Sequence, residues 1–167
     1  MPDLLAHALI AYSLATVFSW RHEWLSPSYV TVAMAGAFIP DLTKVMLVLP
    51  SDSVAATLSV PFDWFALHTL GGSLISLAIG IVLVANSERT RVAALLGLGT
   101  ASHLLADALL LNPSGHSYPL FWPLSYLHPP TPGLYLSTQA EPMLVAATVA
   151  GVVFTSTQYR RWREQAE

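Results

Sequence analysis

The chain has no cysteine, so it can form neither a disulfide framework nor a thiolate metal site. Any metal must therefore be held by histidine, aspartate or glutamate. Charge is nearly as scarce: 10% of the 167 residues are charged, where a soluble domain carries roughly 25%. The net charge of −3 provides no basic surface, which argues against a nucleic-acid partner. The N-terminus lacks a charged n-region and a small-residue cleavage site, so no removable signal peptide is expected. No internal repeat, low-complexity tract or second domain is evident, and residues 1–167 read as a single integral membrane domain. What the chain has in quantity is apolar surface, 54% of its residues, a composition that belongs in a bilayer.

A bilayer core takes about 20 mostly apolar residues per helix. Five segments qualify, at 4–20, 30–49, 65–85, 92–111 and 140–158, the first of them short. The expected fold is all-α, a polytopic bundle of about five transmembrane helices. Pro27, Pro61 and Pro142 lie near helix starts, where proline is tolerated. Between the fourth and fifth spans, residues 112–138 contain six of the twelve prolines, with Gly115 and Gly133. This composition predicts a long loop rather than a helix. Its Tyr118, Trp122, Tyr126 and Tyr135 are the amphipathic aromatics expected at a membrane surface.

Arg21, Arg89, Arg91, Arg160, Arg161 and Arg163 all fall on one side of five alternating spans, and only Lys44 falls toward the other. The positive-inside rule makes the arginine side cytoplasmic. The expected location is the cell (inner) membrane, with the N-terminus and the Pro-rich loop outside and the C-terminus in the cytoplasm.

On that frame the ionisable residues inside the spans reach a common depth near the outer leaflet. His7 lies early in span one, Asp41 in "GAFIPDLTK" of span two and His68 near the start of span three. His103 and Asp107 lie in "SHLLAD" of span four, where a spacing of four puts both on one helical face. Each has an ordinary explanation taken singly. His7 can be interfacial, Asp41 can pair with Lys44, His68 can bond a neighbouring helix, and His103 can clamp Asp107. Five such groups buried at one depth are costly, and a shared cation offsets that cost. Three imidazoles and two carboxylates suit zinc, with manganese or nickel less favoured. Five candidates exceed the four of a closed structural site and leave room for an open position or a second ion. An open site brings the pKa of bound water near neutrality, which is hydrolase chemistry.

Asp63, five residues before His68, is read either as the cap of span three or as a ligand or base entering from the loop. Asp3, four residues before His7, is likewise a candidate cap. His116 and His128 sit in the outer loop over the site, and His22 lies on the cytoplasmic side and is excluded.

"MPDLLAH", "GAFIPD", the histidine near the start of span three, "SHLLADALL" and "PLFWPL" occur in that order over roughly residues 1–125. This arrangement resembles the membrane-bound metal-dependent hydrolases, inner-membrane-associated proteins under SOS control in some bacteria. The resemblance implies a helical membrane hydrolase with metal bound by His7, Asp41, His68, His103 and Asp107. Its His-x-x-x-Asp element is also similar to that of zinc-dependent phospholipases C and related nucleases, which implies phosphoester chemistry. In place of the family's His-Arg-Gly-x-Thr-His-Ser this chain has "DWFALHT". Asp63 thus stands where the first histidine would be, and the arginine is absent. If that arginine binds phosphate, this chain lacks the activity or uses another substrate.

The expected function is a metal-dependent hydrolase of a phosphoester, with a lipid or lipid-linked substrate arriving laterally from the membrane. One or two divalent ions, zinc in first place, would be held by the five residues above, and Asp63 or His116 would handle the proton. The alternative is a non-enzymatic membrane protein whose metal or charge cluster serves structure or transport. The nearly uncharged inner halves of the spans favour a dead-end site over a transport path.

Overall fold

In the computed structural model, which describes residues 4–166, the first apolar run forms α1 (Leu4–Ser19). It buries Ala8, Ala11 and Ala15, small side chains that let neighbouring backbones approach closely. Asp3, the candidate cap, lies outside the described residues. The next helix, α2 (Pro27–Phe38), starts with proline in its first turn, where the missing N–H costs nothing.

The second span is not one straight helix as read from 30–49. It is α2 followed by a 3₁₀ helix (Pro40–Leu47), with a bend of 53° between them. Pro40 is the cause. Its ring removes an N–H and clashes with the carbonyl four residues earlier, so the α-helical ladder stops. That carbonyl belongs to Gly36, and it accepts instead from the Ile39 N–H at 3.2 Å and from the Thr100 hydroxyl at 2.9 Å.

A short helix not expected from the sequence, α3 (Ser51–Leu58), follows and buries none of its residues. It ends at Ser59, whose φ of 54° is left-handed. The third span divides into a second 3₁₀ helix (Trp64–His68) and α4 (Leu70–Val82). The fourth is α5 (Arg89–Ala108), and the fifth is α6 (Glu141–Ala166). The stretch between them is the expected loop. It has isolated bridges at Leu110–Tyr135 and His116–Pro130, but there is no strand among the described residues.

The central packing is α2 against α5. A Cβ on Gly99 would sit 1.9 Å from the Ala33 carbonyl oxygen, and one on Gly36 would sit 2.3 Å from that of Leu96. Only hydrogen fits at either point, so the two backbones touch. α1 packs on α2, α5 and α6, and α4 packs on α5. Much of the outer surface stays apolar, including Leu74, Ile75 and Ile79 on α4 and Leu144, Val145 and Val152 on α6. No single described helix is both long and apolar enough to cross a membrane, though α2 with its 3₁₀ continuation passes that test as a bent pair.

Candidate metal centre

His7, Asp41, His68, His103 and Asp107 come together in one buried cluster. α1 supplies His7 and α5 supplies His103 and Asp107; the 3₁₀ helix after Pro40 supplies Asp41, and the one before α4 supplies His68. None of the five is more than 5% exposed. Their nitrogen and oxygen atoms form two groups close enough to share an ion, His7–His103–Asp107 and Asp41–His68–His103.

The bend at Pro40 sets the state of two histidines. His103 Nδ1 lies 2.7 Å from the Ala37 carbonyl oxygen, and His68 Nδ1 lies 3.2 Å from that of Pro40. A carbonyl oxygen only accepts, so each Nδ1 carries the proton and donates. In the neutral ring each Nε2 is then a bare lone pair. Both face the same carboxylate: His68 Nε2 is 2.9 Å and His103 Nε2 is 3.4 Å from Asp107 Oδ2. His7 Nε2 is 3.4 Å from Asp107 Oδ1, and its ring stacks on that of His103 at 3.7 Å between centroids.

Acceptors aimed at acceptors repel unless a proton or a cation lies between them. Three imidazolium rings around one buried carboxylate would leave net positive charge out of water, which is expensive. A divalent ion satisfies the same lone pairs with one species. The atoms without hydrogen-bond partners agree with this, since both His7 nitrogens, His103 Nε2, Asp107 Oδ1 and Asp41 Oδ1 are buried and unpaired. Buried polar atoms are nearly always paired, so five in one place mark a candidate binding site. These residues therefore fit a metal ion. A carbonyl behind the imidazole is also the usual arrangement for a metal-ligating histidine. Because its Nδ1 is committed to Ala37, His103 offers only Nε2 and takes part in one of the two groups at a time.

Asp41 does pair with Lys44, at 2.9 Å, but through Oδ2. Its Oδ1 stays unpaired, so the ion pair orients the carboxylate without consuming it. Asp63 and His116 do not join the cluster. Asp63 is exposed and caps the second 3₁₀ helix, its carboxylate accepting from the Phe65 N–H at 2.9 Å. His116 is exposed, and its Nδ1 is held by the Ser114 carbonyl within the same turn. His128 braces the loop by donating to the Ser117 carbonyl at 2.8 Å. His22 is exposed near Trp24, away from the site.

A cleft of about 160 Å³ reaches the cluster, with His68 and Asp107 in its wall beside Phe65, Asn112, Tyr118 and Ser137. Tyr118 was legible in the sequence only as an interfacial aromatic. Its ring packs edge-on against His68, with centroids 4.8 Å apart, and burial followed by the charge of Asp107 raises its pKa. Tyr135, whose hydroxyl donates to the Ala106 carbonyl at 2.5 Å, is pushed up to about 12 by the same two causes. Both phenols therefore remain protonated donors.

The arginines gather at the opposite end of the bundle. Arg91 lies over the Trp24 ring and donates to the Tyr29 hydroxyl, which in turn donates to Glu88. Arg160 lies over the Trp20 ring, and the Trp20 indole donates to Thr157 at 3.0 Å. A family model described as YdjM inner membrane protein matches residues 1–166. The chain belongs to that family. It is an all-helical inner-membrane protein with buried His and Asp groups able to hold a metal ion. No curated protein and no solved structure matches it.

Proposed function

We propose that this chain is a membrane-embedded, metal-dependent hydrolase acting on a phosphoester, with a lipid or lipid-linked molecule as substrate. The observation that carries the reading is the convergence of three imidazole Nε2 atoms on the two oxygens of Asp107. Oxygen and nitrogen donors without thiolate suit zinc before manganese or nickel. His7, His103 and Asp107 would hold one ion, and Asp41 and His68 would complete its shell or begin a second position. Such an ion, when bound, supplies Lewis acidity and water of usable pKa.

The chain's own residues do the rest. The Ala37 and Pro40 carbonyls fix the tautomers of His103 and His68, so no proton must be displaced from either Nε2 before a ligand binds. Lys44 holds Asp41 in place. The cleft at His68 and Asp107 admits a small polar group. A larger cavity of about 520 Å³ is lined mostly by apolar residues, among them Ala6, Ile10, Leu109 and Val145, together with Gln139 and Glu141. Ala6 and Ala106 in that cavity neighbour His7 and Asp107 in sequence, so a hydrocarbon tail would lie on the lipid side of the helices that carry the ligands. This supports a substrate with an apolar part. The transmembrane path of the helices, and a site facing the outer leaflet, belong to the same proposal.

The test is elemental analysis and turnover on one preparation. Detergent-purified protein is expected to hold close to stoichiometric zinc or another transition ion. His103→Ala should lower its content at least about tenfold, the low end for disturbing a metal's surroundings, and His22→Ala should not. Metal-dependent cleavage of a phosphoester lipid analogue should vanish in Asp41→Ala. Protein that neither holds nor is stabilised by any metal refutes the site. Metal-loaded protein inactive on a broad phosphoester and amide panel supports the non-enzymatic alternative instead.

A further inference from the structure

The Tyr118 hydroxyl is buried and has no hydrogen-bond partner. It belongs to the wall of the cleft that contains His68 and Asp107. A buried phenol normally finds an acceptor, because leaving its O–H unpaired forfeits the bond it had in water. Tyr118 is not idle through looseness. Its ring is fixed edge-on between His68 and Phe65, with centroids at 4.8 Å and 5.8 Å. The backbone on both sides is pinned. The Ser117 N–H donates to the Pro129 carbonyl at 2.8 Å, and the Ser117 hydroxyl donates to the Tyr118 carbonyl at 2.9 Å. Two residues on, the Leu120 carbonyl accepts from the Leu70 N–H, and the Trp122 carbonyl accepts from that of Gly71. These are the first N–H groups of α4, which have no partner within their own helix. The loop is thus anchored to the element that follows His68, and the phenol keeps a fixed place beside the ligands.

No cation lies in the wall of this cleft, and its other polar side chains are Asn112 and Ser137. A donor that is rigid, uncharged and unpaired next to a candidate metal site suits an oxyanion. We infer that Tyr118 is the substrate-binding donor of the site, its O–H directed to an anionic oxygen of a phosphoester or phosphate in the cleft. This rests on the hydrolase reading and supplies a neutral donor in a chain without the arginine of the related motif.

The experiment measures inorganic phosphate binding to the zinc-loaded full chain by calorimetry, with metal content and melting temperature measured in parallel. Tyr118→Phe keeps the ring against His68 and removes only the hydroxyl, and Tyr126→Phe, on an exposed tyrosine of the same loop, is the control. A hydrogen bond to a charged group corresponds to about tenfold to a hundredfold in affinity. Tyr118→Phe should weaken phosphate binding by that factor with metal content and melting unchanged, and Tyr126→Phe should bind like the unaltered chain. Equal phosphate binding by Tyr118→Phe and the unaltered chain overturns the assignment while leaving the hydrolase reading standing. Loss of metal in Tyr118→Phe also overturns it, since the hydroxyl would then serve the metal and not the substrate. An unaltered, zinc-loaded chain that binds no phosphate overturns the assignment and the phosphoester reading together.

Discussion

At the scale of single residues, Asp107 is the hub, since every histidine of the cluster faces one of its oxygens. This makes the outcome of Asp107→Asn unusual for a buried charge. The amide keeps the shape, removes the negative charge and offers an N–H donor to a bare Nε2, so the metal-free protein loses a repulsion and gains a bond. The melting temperature after chelation should equal or exceed that of the unaltered chain treated in the same way. Zinc at a hundredfold excess over its Kd should stabilise the unaltered chain by about 2.7 kcal/mol, and this gain should shrink to near zero in Asp107→Asn. Thermal melts with and without zinc check both halves. An undiminished zinc gain in the variant would remove Asp107 from the ligand set.

At the scale of elements, the site depends on how closely α2 and α5 approach, because His103 on α5 reaches a carbonyl that the bend in α2 leaves open. Two glycines of α5 separate this effect from helix propensity. A Cβ at Gly97 meets nothing within 4 Å, whereas one at Gly99 runs into the Ala33 carbonyl oxygen and the Ala37 amide nitrogen. Gly97→Ala should therefore be neutral or stabilising by up to about 1 kcal/mol. Gly99→Ala should cost about 1–3 kcal/mol, the usual range for overpacking, and should lower metal content by moving His103 off Ala37. Melts and elemental analysis of the pair are the check, and equal behaviour would deny that the helix contact shapes the site. The long apolar runs made the five main helices legible from hydropathy alone, and the four-residue spacing put His103 and Asp107 on one face. The break at Pro40 does not show in hydropathy, because the apolar runs on either side of "PDLTK" outweigh that short polar stretch in a span-length average. α3 leaves no signal in the sequence, because "SDSVAATL" is short and has no buried face to produce a periodicity. The carbonyls that fix His68 and His103 have no signature in the sequence at all, since every residue has one. Tyr118 reaches the site through the path of a loop, which no spacing rule describes, whereas the capping role of Asp63 was one of the two readings its position allowed.

At the scale of the whole molecule the chain is polarised. The buried His and Asp cluster and the Pro-rich loop occupy one end, the arginine and tryptophan contacts occupy the other, and apolar side chains cover the surface between. A patch of exposed hydrocarbon that large is stable only against lipid or another protein, and membership of an inner-membrane family selects lipid. Polarity of this kind also sets a direction. Basic side chains close to the apolar segments are retained in the cytoplasm, so the arginine end should face inward and the site should open to the outer leaflet. The lack of native cysteine makes this testable without background. Ser114 and Ser87 are both exposed, the first in the loop beside His116 and the second just before α5. In intact cells a membrane-impermeant thiol reagent should label Ser114→Cys and spare Ser87→Cys, and after permeabilisation it should label both. The reverse pattern would turn the molecule over. The cleft at His68 and Asp107 would then draw on the inner leaflet, and a substrate would have to come from the cytoplasmic side.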